Sequence, residues 1–211
     1  SLAAGIVSAI LLIWALMPST STPRWAVRRM QCANNLKAIG IALHSYHDEF
    51  QSLPPAYVCD DAGKPMHSWR VLLLPYLEQD GRTDAAELYK KYDFREPWDS
   101  PNNIKLAPAI TAVYQCPEET HLGASGTSYL AVVGKGTMWP GQKAISFSAV
   151  RDGTSNTIMV VEVANSGIQG SCHDQRLDDR PELQNIFHQR IRESGSILNF
   201  GKIIWVEIRL D

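Results

Sequence analysis

The sequence has no marked excess of either charge and few cysteines. Twenty basic residues stand against 22 acidic ones in 211 residues, which gives a formal net charge of −2. Nucleic-acid-binding proteins ordinarily carry a basic patch or stripe, so this balance argues against a nucleic-acid partner. Four cysteines are too few for a small scaffold held together by disulfides. None of them forms a C-x-x-C pair, which argues against a zinc ribbon and a thioredoxin-like motif.

The sequence also has none of the common local signatures of catalysis. It contains neither a G-x-S-x-G nucleophile elbow nor a G-x-x-x-x-G-K-[ST] phosphate loop. Hydrophobic residues make up 45% and charged residues 20% of the chain, which is typical of a globular domain and not of a disordered or fibrous chain. We therefore expect no enzyme activity, no catalytic residues and no cofactor.

The first feature that is present is an uncharged run over Leu2–Met17, in which Ser8 is the one polar interruption. A helix of that length covers about 24 Å, slightly less than the ~30 Å hydrocarbon core of a bilayer, and residues upstream would complete the span. We expect a membrane anchor over residues 1–22. A signal peptide and a buried core helix are the alternatives, although Pro18–Pro23 is a poor match for a cleavage site. The positive-inside rule would keep the arginines that follow the run cytoplasmic, whereas more positive charge upstream would reverse that orientation, so charge leaves the orientation open. The arginines are Arg24, Arg28 and Arg29.

A strong helical pattern follows over residues 26–50. Its apolar residues are spaced three and four apart, which places them on one stripe: Leu36, Ile39, Leu43, Tyr46 and Phe50. Pro54 and Pro55 forbid continuation of the helix. We expect this stripe to pack on a sheet.

The rest of the chain predicts short helices and then short strands. Ser68 is placed to cap a helix that begins at Trp69 and is interrupted by Pro75, and a second helix is expected over Asp84–Tyr92. The β-branched runs and the turn before the second are typical of strands: Ser128–Val133, Asp152–Gly153 and Thr157–Val163. The order of elements indicates an α+β fold with a mostly antiparallel sheet. We expect the tryptophans Trp69, Trp98 and Trp139 to fill its core, not an exposed carbohydrate platform.

The composition changes near residue 166. From residue 167 onward 13 of 45 residues are charged, against 29 of the first 166. We therefore divide the chain into an anchor (1–22), an α+β domain (23–166) and a divergent charged tail (167–211). Within the tail, Ile203–Val206 is β-branched and is expected to add an edge strand.

The long helix and several later motifs resemble a known family. Arg28–Gly40 and Leu43–Asp48 are similar to the opening of a family expanded in planctomycete bacteria, domain of unknown function 1559, whose members are often labelled prepilin-type or pseudopilin-like. The later motifs match in order: Ser68–Val71, Leu74–Glu78, Tyr92–Phe94, Glu96–Asp99, Asn102–Asn103, Cys116–Pro117, Thr127–Tyr129 and Asp152–Thr157. The resemblance covers about residues 28–166. The family's Phe-Thr-Leu-x-Glu prepilin signal and its C-terminal His-Pro-Gly-Gly and Asp-Gly-Ser-Val stretches are missing here.

The resemblance implies a pilin-like plan, in which a membrane helix continues into the long amphipathic helix. It implies a structural or assembly subunit of a secretion or surface apparatus, a pseudopilin. Such a protein would have a single pass in the cytoplasmic membrane, its domain would face the periplasm or cell exterior, and its partners would be the membrane and other pilin-like subunits. The alternative is an exported solute- or substrate-binding domain on the same anchor. Cys32 and Cys116 lie in family-like motifs and are the favoured disulfide couple, although four cysteines allow three full connectivities. Cys59 and Cys172 are equally well explained as free thiols.

Two sets of residues have side chains of the types that can bind metals. His44 and His47 share a helix face beside Asp48, but spacing marks no further ligand, so we expect no metal there and regard them as weak candidates. Calcium would accept loop aspartates, although isolated loop aspartates usually form turns. The loop set comprises Asp60, Asp61, Asp93, Asp99 and Asp152.

Overall fold

The protein is represented by a computed structural model, which describes residues 24–77, 85–117, 126–134, 137–151, 157–164, 197–199 and 204–209. The helices are α1 (Arg24–Phe50), α2 (Trp69–Leu73), α3 (Ala85–Lys91) and α4 (Ala107–Ala112). The strands are β1 (Tyr57–Cys59), β2 (Pro65–Ser68), β3 (Tyr129–Ala131), β4 (Ile158–Ala164), β5 (Ile197–Asn199) and β6 (Ile204–Arg209). Single 3-10 turns occupy Leu74–Tyr76, Asn103–Lys105 and Phe147–Ala149.

Most of the predicted elements are found close to their expected bounds. The long helix, the helix capped by Ser68, the helix expected from residue 84 and both predicted strands are confirmed. The Ser68 side chain accepts a hydrogen bond from the backbone N–H of Arg70, as an N-cap does. The Asp152–Gly153 turn lies outside the described residues.

The predicted membrane anchor stays a prediction. Leu2–Met17 lies outside the described residues, and within the described ranges no helix is both long and apolar enough to cross a bilayer.

The strands form two sheets, and the fold is α+β as expected. β1 and β2 make an antiparallel hairpin, and the second sheet has the order β3-β4-β6-β5. Two of its pairings are antiparallel, whereas β4 and β6 run parallel. The expectation of an edge strand in the tail is wrong, because β6 lies between β4 and β5. Its continuous apolar start suits a strand that is paired on both sides better than a half-solvated edge. The domain boundary near residue 166 stays a prediction.

One face of α1 is buried, but the elements that pack against it differ from the sheet that was expected. Leu36, Ile39 and Leu43 are at most 2% exposed, so most of the predicted stripe lies in the core. Phe50 was expected there too but is 52% exposed, because it is the last residue of the helix. Its ring centroid lies 4.5 Å from that of Tyr46. The inner face of α1 packs chiefly against α2 and the Leu74–Tyr76 turn. Packing of α1 across the four-stranded sheet stays a prediction.

Aromatic side chains fill the centre of the domain. Trp69 and Trp139 are fully buried with their ring centroids 5.3 Å apart, and Tyr114 meets Trp69 edge-on. The indole Nε1 of Trp139 donates to the carbonyl of Met159 at 2.9 Å, which satisfies its polar atom. The core prediction is confirmed for these two tryptophans, whereas Trp98 is only half-buried.

Candidate functional site

A disulfide fastens α1 to the segment that follows α4. It joins Cys32 to Cys116 across 84 residues of sequence, with the two Cα atoms 5.0 Å apart. Each residue is 2% exposed, so the bond is buried. This is the couple that the family resemblance favours. Cys59 is a free, half-buried cysteine, and Cys172 lies outside the described residues.

Polar groups surround this disulfide and hold both of its ends. The backbone N–H of Cys116 donates to the Ser128 hydroxyl at 2.9 Å. The Tyr129 hydroxyl donates to the carbonyl of Cys32 at 3.3 Å, which links β3 directly to α1. Asn35, one turn along α1, donates from Nδ2 to the carbonyl of Gln115 at 3.2 Å. The two cysteines are therefore positioned by hydrogen bonds as well as by their covalent bond.

Glu162 brings a carboxylate to the same place. One of its oxygens and the two cysteine sulfurs all lie within 4.8 Å of one another, and no other group of three such donors occurs among the described residues. Burial, followed by the negative charge of Glu162, raises the pKa of Tyr129 well above its ordinary value. Sequence reasoning missed Glu162 because its position follows from strand register. β4 pairs it directly with Tyr129 on β3, and directly paired residues share a face of the sheet.

The weak metal candidates on α1 make other contacts. The Nε2 atom of His47 lies 3.0 Å from the Ser146 hydroxyl, at hydrogen-bond distance. The rings of His44 and His47 both pack on Phe147, with centroids 4.8 and 4.5 Å away. Asp48 is exposed at the end of the helix. The two histidines thus tie α1 to the Phe147–Ala149 turn, and the three residues do not form a three-donor cluster in the described structure.

Two of the described loop aspartates stabilise turns. Asp60 accepts from the backbone N–H groups of Ala62 and Lys64, which closes the turn between β1 and β2. Asp93 binds the Arg95 guanidinium at 2.7 Å, and these hydrogen bonds lower the pKa of its carboxyl to about 2. The other described loop aspartates, Asp61 and Asp99, are exposed, and Asp152 lies outside the described residues.

The Ser68–Val71 motif places an arginine in the core. Arg70 is 1% exposed, and its Nη2 donates to the carbonyl of Tyr129 at 2.7 Å. Its guanidinium also lies over the Trp69 ring, 4.8 Å from the centroid, an arrangement that stabilises a buried cation. The Tyr114 hydroxyl donates to the Arg70 carbonyl at 2.7 Å. The motif therefore joins α2 to β3, a role that sequence spacing does not reveal.

One asparagine explains why three of the family-like motifs occur together. The Nδ2 of Asn103 donates to the carbonyls of Asp93, Glu96 and Pro97 at 2.9 to 3.1 Å, and its Oδ1 accepts from the backbone N–H of Asp93 at 3.0 Å. Asn103 is 1% exposed, so these bonds are shielded from water. The irregular segment over residues 92–103 is therefore folded around a single side chain.

His67 is a buried histidine next to this segment. Its Nε2 lies 3.0 Å from the carbonyl of Phe94, so Nε2 carries the proton, and its Nδ1 accepts from the Tyr92 hydroxyl at 3.0 Å. Burial lowers the pKa of His67, although the Phe94 carbonyl opposes that effect. His67 is thus a neutral structural residue with both ring nitrogens engaged.

The outward side of α1 carries a second row of regularly spaced residues. We call it the α1 seam: Val27, Met30, Asn34, Lys37 and Ile41, spaced three and four apart. All five are exposed, and the three apolar ones have exposures of 42%, 66% and 56% in chain order. At 100° per residue the seam lies on the opposite side of the helix from the buried stripe. Sequence analysis found the buried stripe but not the seam.

Comparison with known proteins identifies the family. No curated protein and no solved structure matches the chain. The sequence profile of a family described as a protein of unknown function (DUF1559) matches residues 21–136, more than half of the chain. The match begins before the motif at Arg28 and ends before the Asp152–Thr157 motif. The resemblance read from the motifs is confirmed, and the chain belongs to the DUF1559 family.

Proposed function

We propose that the protein is a non-catalytic, pilin-like structural subunit, anchored in the cytoplasmic membrane by a single helix over residues 1–22. Its domain faces the periplasm or cell exterior, and it assembles with other copies of the chain through the α1 seam. The observation that carries this proposal is the row of exposed apolar side chains on the outward face of α1.

The seam has the spacing that helix-to-helix docking uses. Residues three and four apart form the contact strip of paired helices, and the five seam residues follow that spacing. Val27, Met30 and Ile41 are its apolar members. Asn34 and Lys37 interrupt the strip, and polar residues at such positions fix the register of paired helices at some cost in stability. Burying side chains such as Met30 and Ile41 contributes up to about 1.5–3 kcal/mol each towards association.

The place of α1 in the chain suits assembly at a membrane. The helix begins at Arg24, seven residues after the apolar run ends at Met17. Anchors that lie parallel in one bilayer would bring the seams of neighbouring copies together side by side.

The buried disulfide supports export of the domain. Disulfides form and persist in oxidising compartments and are rare in the bacterial cytosol. The Cys32–Cys116 bond therefore favours the periplasm or cell exterior for the domain.

The solute-binding alternative gains less support from the geometry. Aromatic residues that bind a ligand must be accessible, whereas Trp69 and Trp139 are fully buried in the core. The exposed apolar residues lie along a helix and form a strip suited to another helix.

The experiment is cross-linking of the full-length protein in membranes, followed by fractionation. We expect the chain to remain with the membranes and to form cross-linked multimers. Replacing Met30→Asp and Ile41→Asp together places two charges in the seam and lowers multimer yield at least about tenfold, because both apolar contacts are lost. Ile104→Asp is the control, since Ile104 is 43% exposed but lies outside α1.

Three results would contradict the proposal. Unchanged multimers in the double variant would exclude the seam. An equal loss in the Ile104→Asp control would show that the effect is nonspecific. A chain that fractionates as a soluble protein would exclude the anchor.

A further inference from the structure

We propose that Cys32, Cys116 and Glu162 form a two-state site, a disulfide when oxidised and a zinc-binding site when reduced. This inference is independent of the proposed assembly function, because it concerns the inner face of α1 and the seam lies on the outer face.

Three separate elements bring the donor atoms together. Cys32 lies on α1, Cys116 follows α4, and Glu162 lies on β4. The Tyr129 hydroxyl reaches the Cys32 carbonyl, so the face of the sheet that carries Tyr129 looks towards α1. Glu162 is paired with Tyr129 and shares that face, which directs its carboxylate towards the sulfurs. The site is therefore built by tertiary structure and would be absent from an unfolded chain.

The distances are close to those of a zinc site. Zinc takes thiolate sulfur at about 2.3 Å and carboxylate oxygen at about 2.0–2.2 Å, so ligand atoms in a tetrahedral site lie about 3.3–3.8 Å apart. The two sulfurs and the Glu162 oxygen already lie within 4.8 Å of one another. Opening the disulfide and moving the carboxylate by about an ångström would reach zinc geometry. Three protein ligands would leave the fourth position to water.

The donor set also selects the metal. Thiolate sulfur favours zinc over calcium and magnesium, which take oxygen ligands. Cys32 and Cys116 are 2% exposed and Glu162 is half-buried, so the site would be shielded while its carboxylate side stays reachable.

The interconversion balances with a dithiol as the reductant. The dithiol gives two electrons and two protons to the Cys32–Cys116 bond, which becomes two thiols while the dithiol becomes a cyclic disulfide. Zinc then displaces both thiol protons and binds two thiolates and the Glu162 carboxylate. Two protons are released and the site carries a net charge of −1.

The zinc form would preserve the link that reduction breaks. The disulfide joins α1 to the segment after α4, and reduction alone would leave no covalent crosslink between them. A zinc ion held by Cys32 and Cys116 restores a link between the same elements, because metal binding to a folded site adds to folding stability. The domain would then keep this crosslink in either redox state.

The test uses the 211-residue chain in detergent with Cys59→Ser and Cys172→Ser, so that only the two site thiols remain. The chain is reduced anaerobically with a phosphine, the phosphine is removed, and Co²⁺ is titrated as an optical probe. We expect one Co²⁺ per chain, with sulfur-to-cobalt charge-transfer absorption and the visible bands of tetrahedral cobalt, and its displacement by Zn²⁺. The oxidised chain should give no such spectrum.

Two variants test the carboxylate. Glu162→Gln should weaken metal binding at least about tenfold, as loss of even an outer-sphere partner does. Glu87→Gln is the matched control, since Glu87 is a half-exposed carboxylate that binds Lys90 on α3, and it should bind metal as the parent does.

Thermal unfolding of the reduced chain gives a second readout. Zn²⁺ should raise the midpoint of the parent and of Glu87→Gln, and should raise that of Glu162→Gln much less. The proposal is overturned if the reduced parent binds no metal, if Glu162→Gln binds it as tightly as the parent, or if the oxidised chain binds it equally well. A reduced chain that is unfolded and binds metal without need of Glu162 also overturns it.

Discussion

Breaking the Cys32–Cys116 bond should lower the stability of the domain substantially. A disulfide stabilises chiefly by restricting the unfolded chain, and the effect grows with the length of the loop that it closes. The loop here spans 84 residues of sequence. The chain-entropy relation then gives about 4–5 kcal/mol in the free energy of unfolding. That is a large part of the 5–15 kcal/mol typical of a folded protein.

The assay compares oxidised and reduced chains by thermal unfolding, with a chelator present to remove metal. Chemical reduction keeps both buried sulfurs in place, so it separates the crosslink from the loss of packing that a Cys→Ala change would add. For a chain of this size, the loss corresponds to a fall in midpoint of roughly 10–20 °C. Cys59→Ala serves as the control, because Cys59 is half-buried and forms no crosslink, and its midpoint should change little.

A small difference would refute this reasoning. If the oxidised and reduced chains unfold within about 3 °C of each other, the crosslink contributes less than about 1.5 kcal/mol. The surrounding hydrogen bonds from Tyr129 and Asn35 would then be sufficient to hold α1 against its neighbours.

Three further predictions concern the core and the polar network. Leu43→Ala should lower the free energy of unfolding, measured in urea, by about 2–5 kcal/mol, because Leu43 is fully buried. Lys37→Ala, at an exposed position, should lower it by less than about 0.5 kcal/mol. Equal losses would contradict a helix with one buried and one exposed face. Asn103→Ala should lower the free energy of unfolding by about 2–4 kcal/mol, because it leaves buried backbone groups unpaired. Asn102→Ala, at an exposed position, should change it little. If Asn103→Ala also changed it little, the segment would fold without the Asn103 side chain. Because the pKa of His67 is lowered from 6.5, the unfolded chain binds this proton more tightly, and the free energy of unfolding should fall as the pH drops through 6.5 towards the folded pKa. His67→Phe should lack this contribution, so a parent and a variant with the same pH dependence between about pH 7.5 and 5 would contradict it.

Local pattern predicted the elements of this fold better than it predicted their neighbours. Periodicity and capping located α1 and α2, because helical spacing and the Ser68 cap are properties of short segments. The same stripe misplaced Phe50, since periodicity continues to the end of a helix whether or not a partner covers it. It also did not reveal that α2 covers α1, because that contact joins segments that are distant in sequence.

Residues of the candidate site could be predicted from the sequence only where they belong to a family motif. The family resemblance singled out Cys32 and Cys116, whereas Glu162 lies in an apolar strand with nothing in its local sequence to mark it. Its neighbours follow from the register of β3 against β4, which a single sequence does not specify. Asn103 was visible as part of a motif, but its role depends on the irregular path of residues 93–97, where local rules are weakest.

The contacts of α1 with the rest of the domain determine how its outer side is presented. About two turns into the helix, the disulfide at Cys32 restrains rotation about the helix axis. Near the end of the helix, Glu49 accepts a hydrogen bond from the Tyr76 hydroxyl at 2.6 Å. His47 adds a contact with Ser146 on that part of the helix. A helix held at Cys32 and near its end keeps the seam at a fixed angle to the domain, so association through the seam would not require α1 to be ordered first. Less ordering on association leaves more of the apolar contact energy as affinity. If the seam is the assembly surface, reduction of the disulfide under chelation should therefore weaken assembly even in copies whose seam residues are unchanged.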